Sequence, residues 1–356
     1  MTKRKLFLLC LLPPLFLTGC WDKKDPEDRA YIMTLGVDDA AAGCLFTFAP
    51  AKTGDGEAQT YSAESETLAG AVAKVDAQMS RKTDLGQLKT VIFSGDFLED
   101  SEKLESLLQE LERSQTVSEK VMLLATEEKA ADAVDAVLQA DSKTGLFLWD
   151  FYKNTAREVA VTKGTDLDTF LTERAAQGGN GVLPRISAEE KKLKLGGGMA
   201  VAQDKVYPLD NEEERGYLFL LGEGEGALLE GEYDGEIIPL EIGKSHVKYD
   251  FSLQERDILC KIRLPLEGTL QGGEGTFLSE EKRQEIEALF EKIIKEEIEH
   301  TLKIAEQAKT DLFGILPRLY QKEPNLTDGI SREALWQALS FEVLPELELK
   351  DMGRKR

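Results

Sequence analysis

Apolar positions in the first half of the chain fall into short uniform blocks separated by helical stripes. Tyr31 to Val37 and Leu45 to Ala49 read as strands, joined through Asp38-Asp39 and a small-residue turn ending in Gly43. Leu68, Val72, Val75 and Met79 share one helical face, which predicts a helix over about Thr67 to Ser80. A buried strand, Lys89 to Ser94, follows. Leu104, Leu107, Leu108 and Leu111 then form a single stripe, with Asp100 or Ser101 as its cap and Arg113 near its end. The block Val121 to Ala125 is uniformly apolar, as expected of a strand covered on both faces. Glu127 to Ala140 is an alanine-rich helical stretch. Such alternation predicts an α/β or α+β unit.

Between Gly145 and Pro184 the pattern weakens. A helix is expected over Leu167 to Ala176, with Asp166 and Asp168 better suited to capping it than to acid–base chemistry. Gly178-Gly179-Asn180-Gly181 follows and marks the expected domain break. Beyond it, Lys192 to Ala202, Val206 to Leu209, Gly226 to Glu230, Ile237 to Ile242, Ser245 to Leu253 and Ile258 to Leu266 form a strand-rich block. Then Ile286, Phe290, Ile293, Ile294, Ile298, Leu302 and Ala305 repeat at helical spacing behind Ser279, a plausible N-cap. This predicts one helix of about 45 Å at 1.5 Å per residue. A short helix holding Leu335, Trp336 and Leu339 precedes a last edge strand, Phe341 to Leu349, interrupted by Pro345. The expected fold class is α+β, a multi-domain mixed α/β arrangement. An N-terminal α/β domain occupies 29–180, and a strand-rich C-terminal domain with one long packed helix occupies 181–356, with a further split near 270 left open.

The first 28 residues belong to neither unit. Lys3, Arg4 and Lys5 lead into an apolar run from Leu6 to Leu17 that is too short for a transmembrane helix and is interrupted by Pro13 and Pro14. It closes on Leu17-Thr18-Gly19-Cys20, which fits a bacterial lipobox at all four positions. Residues 1–19 are therefore expected to be a lipoprotein signal peptide cleaved between Gly19 and Cys20, with a covalent diacylglycerol on the Cys20 sulfur. Two acyl chains anchor a protein durably where one short chain does not. Residues 20–28 are polar, carry Pro26 and suit a short tether. Trp21, beside the lipid, is a candidate membrane-surface contact.

Charge changes the picture of partners. The chain carries a net charge of −22, and loss of the three leader cations makes the mature part −25. Anionic headgroups and nucleic acid repel such a body, so membrane contact is assigned to the tether and to partners. Of four cysteines only Cys44 and Cys260 lie in the body, and both sit in strand-like apolar runs. An oxidising exterior permits a bond between them, but buried free thiols fit those runs better. His246 and His300 have no cysteine or histidine at ligand spacing, so no metal site is expected. Gly222-Glu223-Gly224-Glu225-Gly226 imitates a phosphate loop, yet its two glutamates would repel the ligand, and it reads as a strand-to-strand turn. Neither Gly-x-Ser-x-Gly nor His-Glu-x-x-His occurs. No catalytic residue is assigned and the chain is not expected to be an enzyme.

A set of short motifs nonetheless resembles a known family. Gly19-Cys20-Trp21-Asp22, Glu27 to Ile32 and Leu35-Gly36-Val37-Asp38 begin it. Tyr61-Ser62-Ala63-Glu64, Gln78-Met79-Ser80-Arg81 and Asp84 to Lys89 continue it, with Gln87 where the family often has histidine. Gly198-Met199-Ala200-Val201, Asp204-Lys205-Val206, Glu214 to Leu218, Lys309 to Gly314, Leu319-Tyr320, Pro324 and Trp336 complete it. In order and spacing these resemble the C-subunit lipoproteins of bacterial spore germinant receptors.

The resemblance implies a non-enzymatic accessory subunit, lipid-anchored on the outer leaflet of the inner spore membrane. It implies assembly with an A subunit and a transporter-like B subunit that senses nutrients, and no nucleic-acid partner. Two other classes are weighed beside it. A solute-binding lipoprotein of a transporter would show two repeated parallel α/β lobes. A lipid-anchored cell-wall hydrolase would need a pair of carboxylates across a sugar, for which the sequence offers no constellation.

Overall fold

A computed structural model describes residues 28–51, 59–140, 146–155, 159–189, 192–254, 257–271 and 279–350. Two sheets organise them. The first has nine strands: β1 (Arg29–Ala40), β2 (Gly43–Pro50), β3 (Tyr61–Ser65), β4 (Lys82–Asp84), β5 (Thr90–Ser94), β6 (Met122–Thr126), β7 (Gly181–Glu189), β8 (Lys192–Ala202) and β9 (Lys205–Leu209). Their order is β3-β2-β1-β5-β6-β7-β8-β9, with β4 beside the start of β1. β1, β5 and β6 run parallel, while β2, β3, β8 and β9 turn back antiparallel.

Helices cover both faces of this sheet. On one face α1 (Leu68–Asp76), α2 (Gly95–Leu98), α3 (Ser101–Arg113) and α6 (Leu167–Ala176) pack on Leu35, Val91, Phe93, Leu123 and Met199. On the other, α4 (Ala130–Ala140) and α5 (Leu146–Asp150) pack on Ile92, Leu124 and Ile186. Alternate residues of one strand thus serve opposite cores, which is why β5 and β6 are buried at every position. Thr67, Asp100 and Asp166 cap α1, α3 and α6 by accepting from backbone N–H groups of the first turn. α4 starts at Ala130, three residues later than its alanine pattern suggests. Its first amides donate to the buried Asp38 carboxylate, Ala130 N at 2.7 Å and Ala131 N at 3.0 Å, so a strand end 92 residues away sets the helix start.

The predicted break at 180/181 is not where the first sheet ends. The chain does turn at Gly178 and Gly179, both with positive φ, but β7, β8 and β9 extend the same sheet to Leu209. The reason lies in the two faces of these strands. Leu183, Met199 and Val201 enter the first core, and Val182, Ala200, Ala202 and Leu209 enter the core of the second region.

The second sheet contains β10 (Leu228–Tyr233), β11 (Glu236–Ser245), β12 (Lys248–Gln254), β13 (Asp257–Leu270) and β14 (Leu339–Leu349). β13 is its axis. β11 and β12 share one side of it, antiparallel, and β14 runs parallel along the other. One face packs on α7 (Asn211–Leu221) and the long α8 (Glu280–Ala308), whose Ile286, Phe290, Ile294 and Ile298 are buried. Ser279 caps α8 as expected, without a capping box. After α8 come α9 (Ile315–Lys322), α10 (Pro324–Thr327) and α11 (Arg332–Gln337).

α7 was not foreseen, and its presence corrects the reading of the glycine–glutamate run. Asp210 accepts from Glu213 N at 2.8 Å while the Glu213 carboxylate accepts from Asp210 N at 2.8 Å, a complete capping box. Gly222 closes the helix in the left-handed conformation at φ 75°. The run therefore begins as a helix terminator leading into β10, not as a turn between strands.

Candidate functional site

The predicted lipid attachment and cleavage residues, Cys20 and Gly19, and the membrane-surface candidate Trp21 all lie outside the described residues. The described residues begin at Asp28 and enter β1 at once. What the structure does place are the motif residues of the second half, and these converge where the two regions meet.

Glu214 is fully buried. Its Oε1 accepts from Thr162 Oγ1 at 3.0 Å and from Lys163 N at 3.1 Å, whereas its Oε2 is buried with no hydrogen-bond partner. Burial pushes its carboxyl up to about 7, against the lowering effect of those donors and of the Lys163 and Arg185 charges. Gly198 on β8 is required here, because a methyl group at that position would overlap Glu214 Oε2. The neighbouring Arg215 forms a two-pronged pair with Glu297 of α8, one arm at 2.9 Å. Burial also raises the Glu297 carboxyl, with Arg215 opposing. Gly216 brings α7 against α8: an added methyl would overlap Thr301 Oγ1 and lie 2.8 Å from the Glu297 carbonyl.

The motif after α8 is a second joint. Asp311, 1% exposed, accepts from Phe313 N, Ile315 N and Leu316 N, so one carboxylate caps α9. Burial raises its carboxyl, and these three amides oppose the rise. Asn180, from the glycine-rich turn, donates to Thr310 Oγ1 and to the Asp311 carbonyl, both at 2.9 Å. Arg332 of α11 donates to the Ala176 carbonyl at 3.1 Å. Between these elements lies a polar cleft of about 560 Å³ lined by Gln177, Asp204, Lys205, Lys309, Arg332 and Trp336. Trp336 is core, packed on Phe341 at 5.7 Å.

These arrangements join elements; they do not form a reaction centre. No histidine, cysteine and carboxylate cluster capable of holding a metal occurs among the described residues. Cys44 and Cys260 are free and buried in different sheets, and burial pushes their thiols up to about 11 and about 12. Sequence reading picked out the Glu214, Asp311 and Asp38 segments, but not that Asp38 receives the first amides of α4, a partner it meets only in three dimensions.

Comparison with known proteins agrees with the motif order. Residues 22–188 match the spore germination protein N-terminal domain, and residues 197–353 match the spore germination B3/GerAC-like C-terminal family. Spore germination protein GerQC of Bacillus cereus is 26% identical over 214 residues, 58% of this chain and 59% of that protein. Spore germination protein KC of Bacillus subtilis is 21% identical over 97% of this chain and 92% of its own length. The crystal structure of the GerBC protein shares the fold, with a TM-score of 0.56 at 16% identity over 88% of this chain and 96% of that one. The chain belongs to the GerAC-like family of germinant receptor C subunits, which are spore germination proteins and not enzymes.

Proposed function

We propose that this protein is the lipid-anchored accessory C subunit of a nutrient germinant receptor. In this reading Cys20 carries diacylglycerol after cleavage behind Gly19, and the body sits on the outer leaflet of the inner spore membrane. There it assembles with an A subunit and a B subunit and supports the nutrient response. The observation that carries the reading is the lipobox standing directly before a body that matches the family in both halves. No helix among the described residues is long and apolar enough to cross a membrane, so attachment is assigned to the lipid.

The solute-binding alternative loses ground on topology. The second sheet is antiparallel except for β14, so the two halves are not a repeated pair of parallel lobes. Deleting the gene should abolish or slow nutrient germination while calcium-dipicolinate still triggers it. A normal nutrient response in a strain without paralogues would overturn the reading. Cys20→Ser should release the protein from spore membranes or leave it unprocessed, and a tagged chain should co-purify with A and B subunits.

A further inference from the structure

Strand direction fixes which end of the first sheet lies next to the tether. β1 and β5 are parallel, and Lys89 N donates to the Met33 carbonyl, so Arg29 and Lys89 sit at one end of the sheet. β4 adds Lys82 directly opposite Arg29, with Arg81 before it. The Trp149 ring lies at this end, with Lys89 Nζ 5.6 Å and Lys153 Nζ 4.1 Å from its centre. Phe147, 47% exposed, precedes Trp149 by two residues on α5 and packs on Phe151.

Five cations, Arg29, Arg81, Lys82, Lys89 and Lys153, share this corner with four acids, Asp28, Asp76, Asp84 and Asp150, of which Asp76 accepts from Thr83 N. That is a local positive excess in a chain of net charge −22. None of the five forms an ion pair with a described residue, although Lys120, further along the same end, is held by Asp166 and Asp168. At the opposite end the cations are neutralised: Lys103 by Asp39, Lys129 by Asp96 and Arg185 by Glu127.

We propose that this basic and aromatic corner is the surface on which the body rests against an anionic bilayer. The inference rests on the lipid-anchor reading. Seven residues separate Cys20 from Asp28, a reach of at most about 28 Å when extended, so the tether brings this end of the sheet, rather than the opposite one, to the headgroups. Exposed charges further than about 8 Å from the surface are screened at physiological salt. Contact is therefore governed by the corner and not by the overall negative charge. Lysine and arginine near anionic lipid attract, and tryptophan favours headgroup depth.

The test uses the lipidated full-length chain in vesicles of phosphatidylglycerol and phosphatidylcholine carrying a headgroup nitroxide, in a Trp21→Phe background. With Trp336→Phe, Trp149 reports alone; with Trp149→Phe, Trp336 reports alone. Trp149 should be quenched at least twofold more than Trp336, and Lys82→Glu with Lys153→Glu should bring the two together. Because Trp336 is buried, nitroxide labels at Arg81→Cys and Asp234→Cys provide a second measurement, with the Arg81 label expected nearer the lipid. Equal quenching and equal label depth on vesicles that carry the protein would overturn the surface, including the case of a protein subunit covering the corner. Failure of the protein to float with vesicles would overturn the anchor instead, and this surface with it.

Discussion

The two sheets of this protein solve the same burial problem in different ways. The first is covered on both faces, and its central strands read Thr-Val-Ile-Phe-Ser and Met-Leu-Leu-Ala-Thr, buried throughout. The second is covered on one face only, and β13 alternates buried Ile258, Cys260, Ile262 and Leu264 with more exposed neighbours. Its open face is paved by cross-strand ion pairs, Arg263 with Asp250 and Lys261 with Glu342. A sheet with one wet face also needs protected edges. Along β14 the long helix supplies the protection: Leu347 N donates to Glu291 at 2.8 Å and Leu349 N to Glu287 at 2.9 Å. Four residues of helix rise about 6 Å, matching two residues of strand. Side chains thus imitate a neighbouring strand. The lesson is that α8 both builds the second core and closes its sheet.

The largest expected effect is at the α7–α8 joint. Gly216→Leu should cost about 3 kcal/mol, read as a lower denaturant midpoint, because the added atoms meet the α8 backbone at Glu297. An unchanged midpoint would show that the two helices separate freely.

Arg215→Met should cost a similar amount, about 3 kcal/mol, by leaving Glu297 buried without its partner. The double variant with Glu297→Met should recover most of the loss. Additive losses would mean the pair does not act as a unit.

Glu214 gives a pH-dependent contrast. Its folded-state value of about 7 lies above the ordinary 4.5. Between those values the folded state therefore binds more protons than the unfolded state. Stability attributable to this group is present below about 4.5, falls as the pH rises, and is lost above about 7. Glu214→Gln should thus gain on the native protein by up to about 3 kcal/mol between pH 4.5 and pH 8. A constant difference across that range would contradict the assignment.

Asp38→Ala tests the first region, where loss of the cap on α4 should cost about 2 kcal/mol. Smallest is Glu287→Ala or Glu291→Ala, about 1 kcal/mol each. The double variant should also self-associate with rising concentration as the β14 edge opens, which sedimentation would detect.

Much of this was legible because local rules were obeyed. The stripes of α1, α3 and α8, the Asp166 cap and the uniform β6 block all follow from residues close in sequence. α7 was legible in principle, since Asp210, Glu213 and Gly222 spell its two ends, but its apolar run resembles a strand. β7 was obscured because its residues divide between two cores. The lipobox reading rests wholly on residues 17–20, outside the described structure.

By itself the sequence determined the element types, the acidic character and the motif order that places the chain in its family, because periodicity, charge and spacing are properties of neighbouring residues. Tertiary structure alone decided that the first sheet runs on to Leu209, that Asp38 starts α4, and that Glu214 and Asp311 are buried at the joint of the two regions. It also decided that Arg29, Lys82 and Lys89 gather at one corner. Each of those depends on groups tens of residues apart meeting in space, where desolvation and contact, not local pattern, set the outcome.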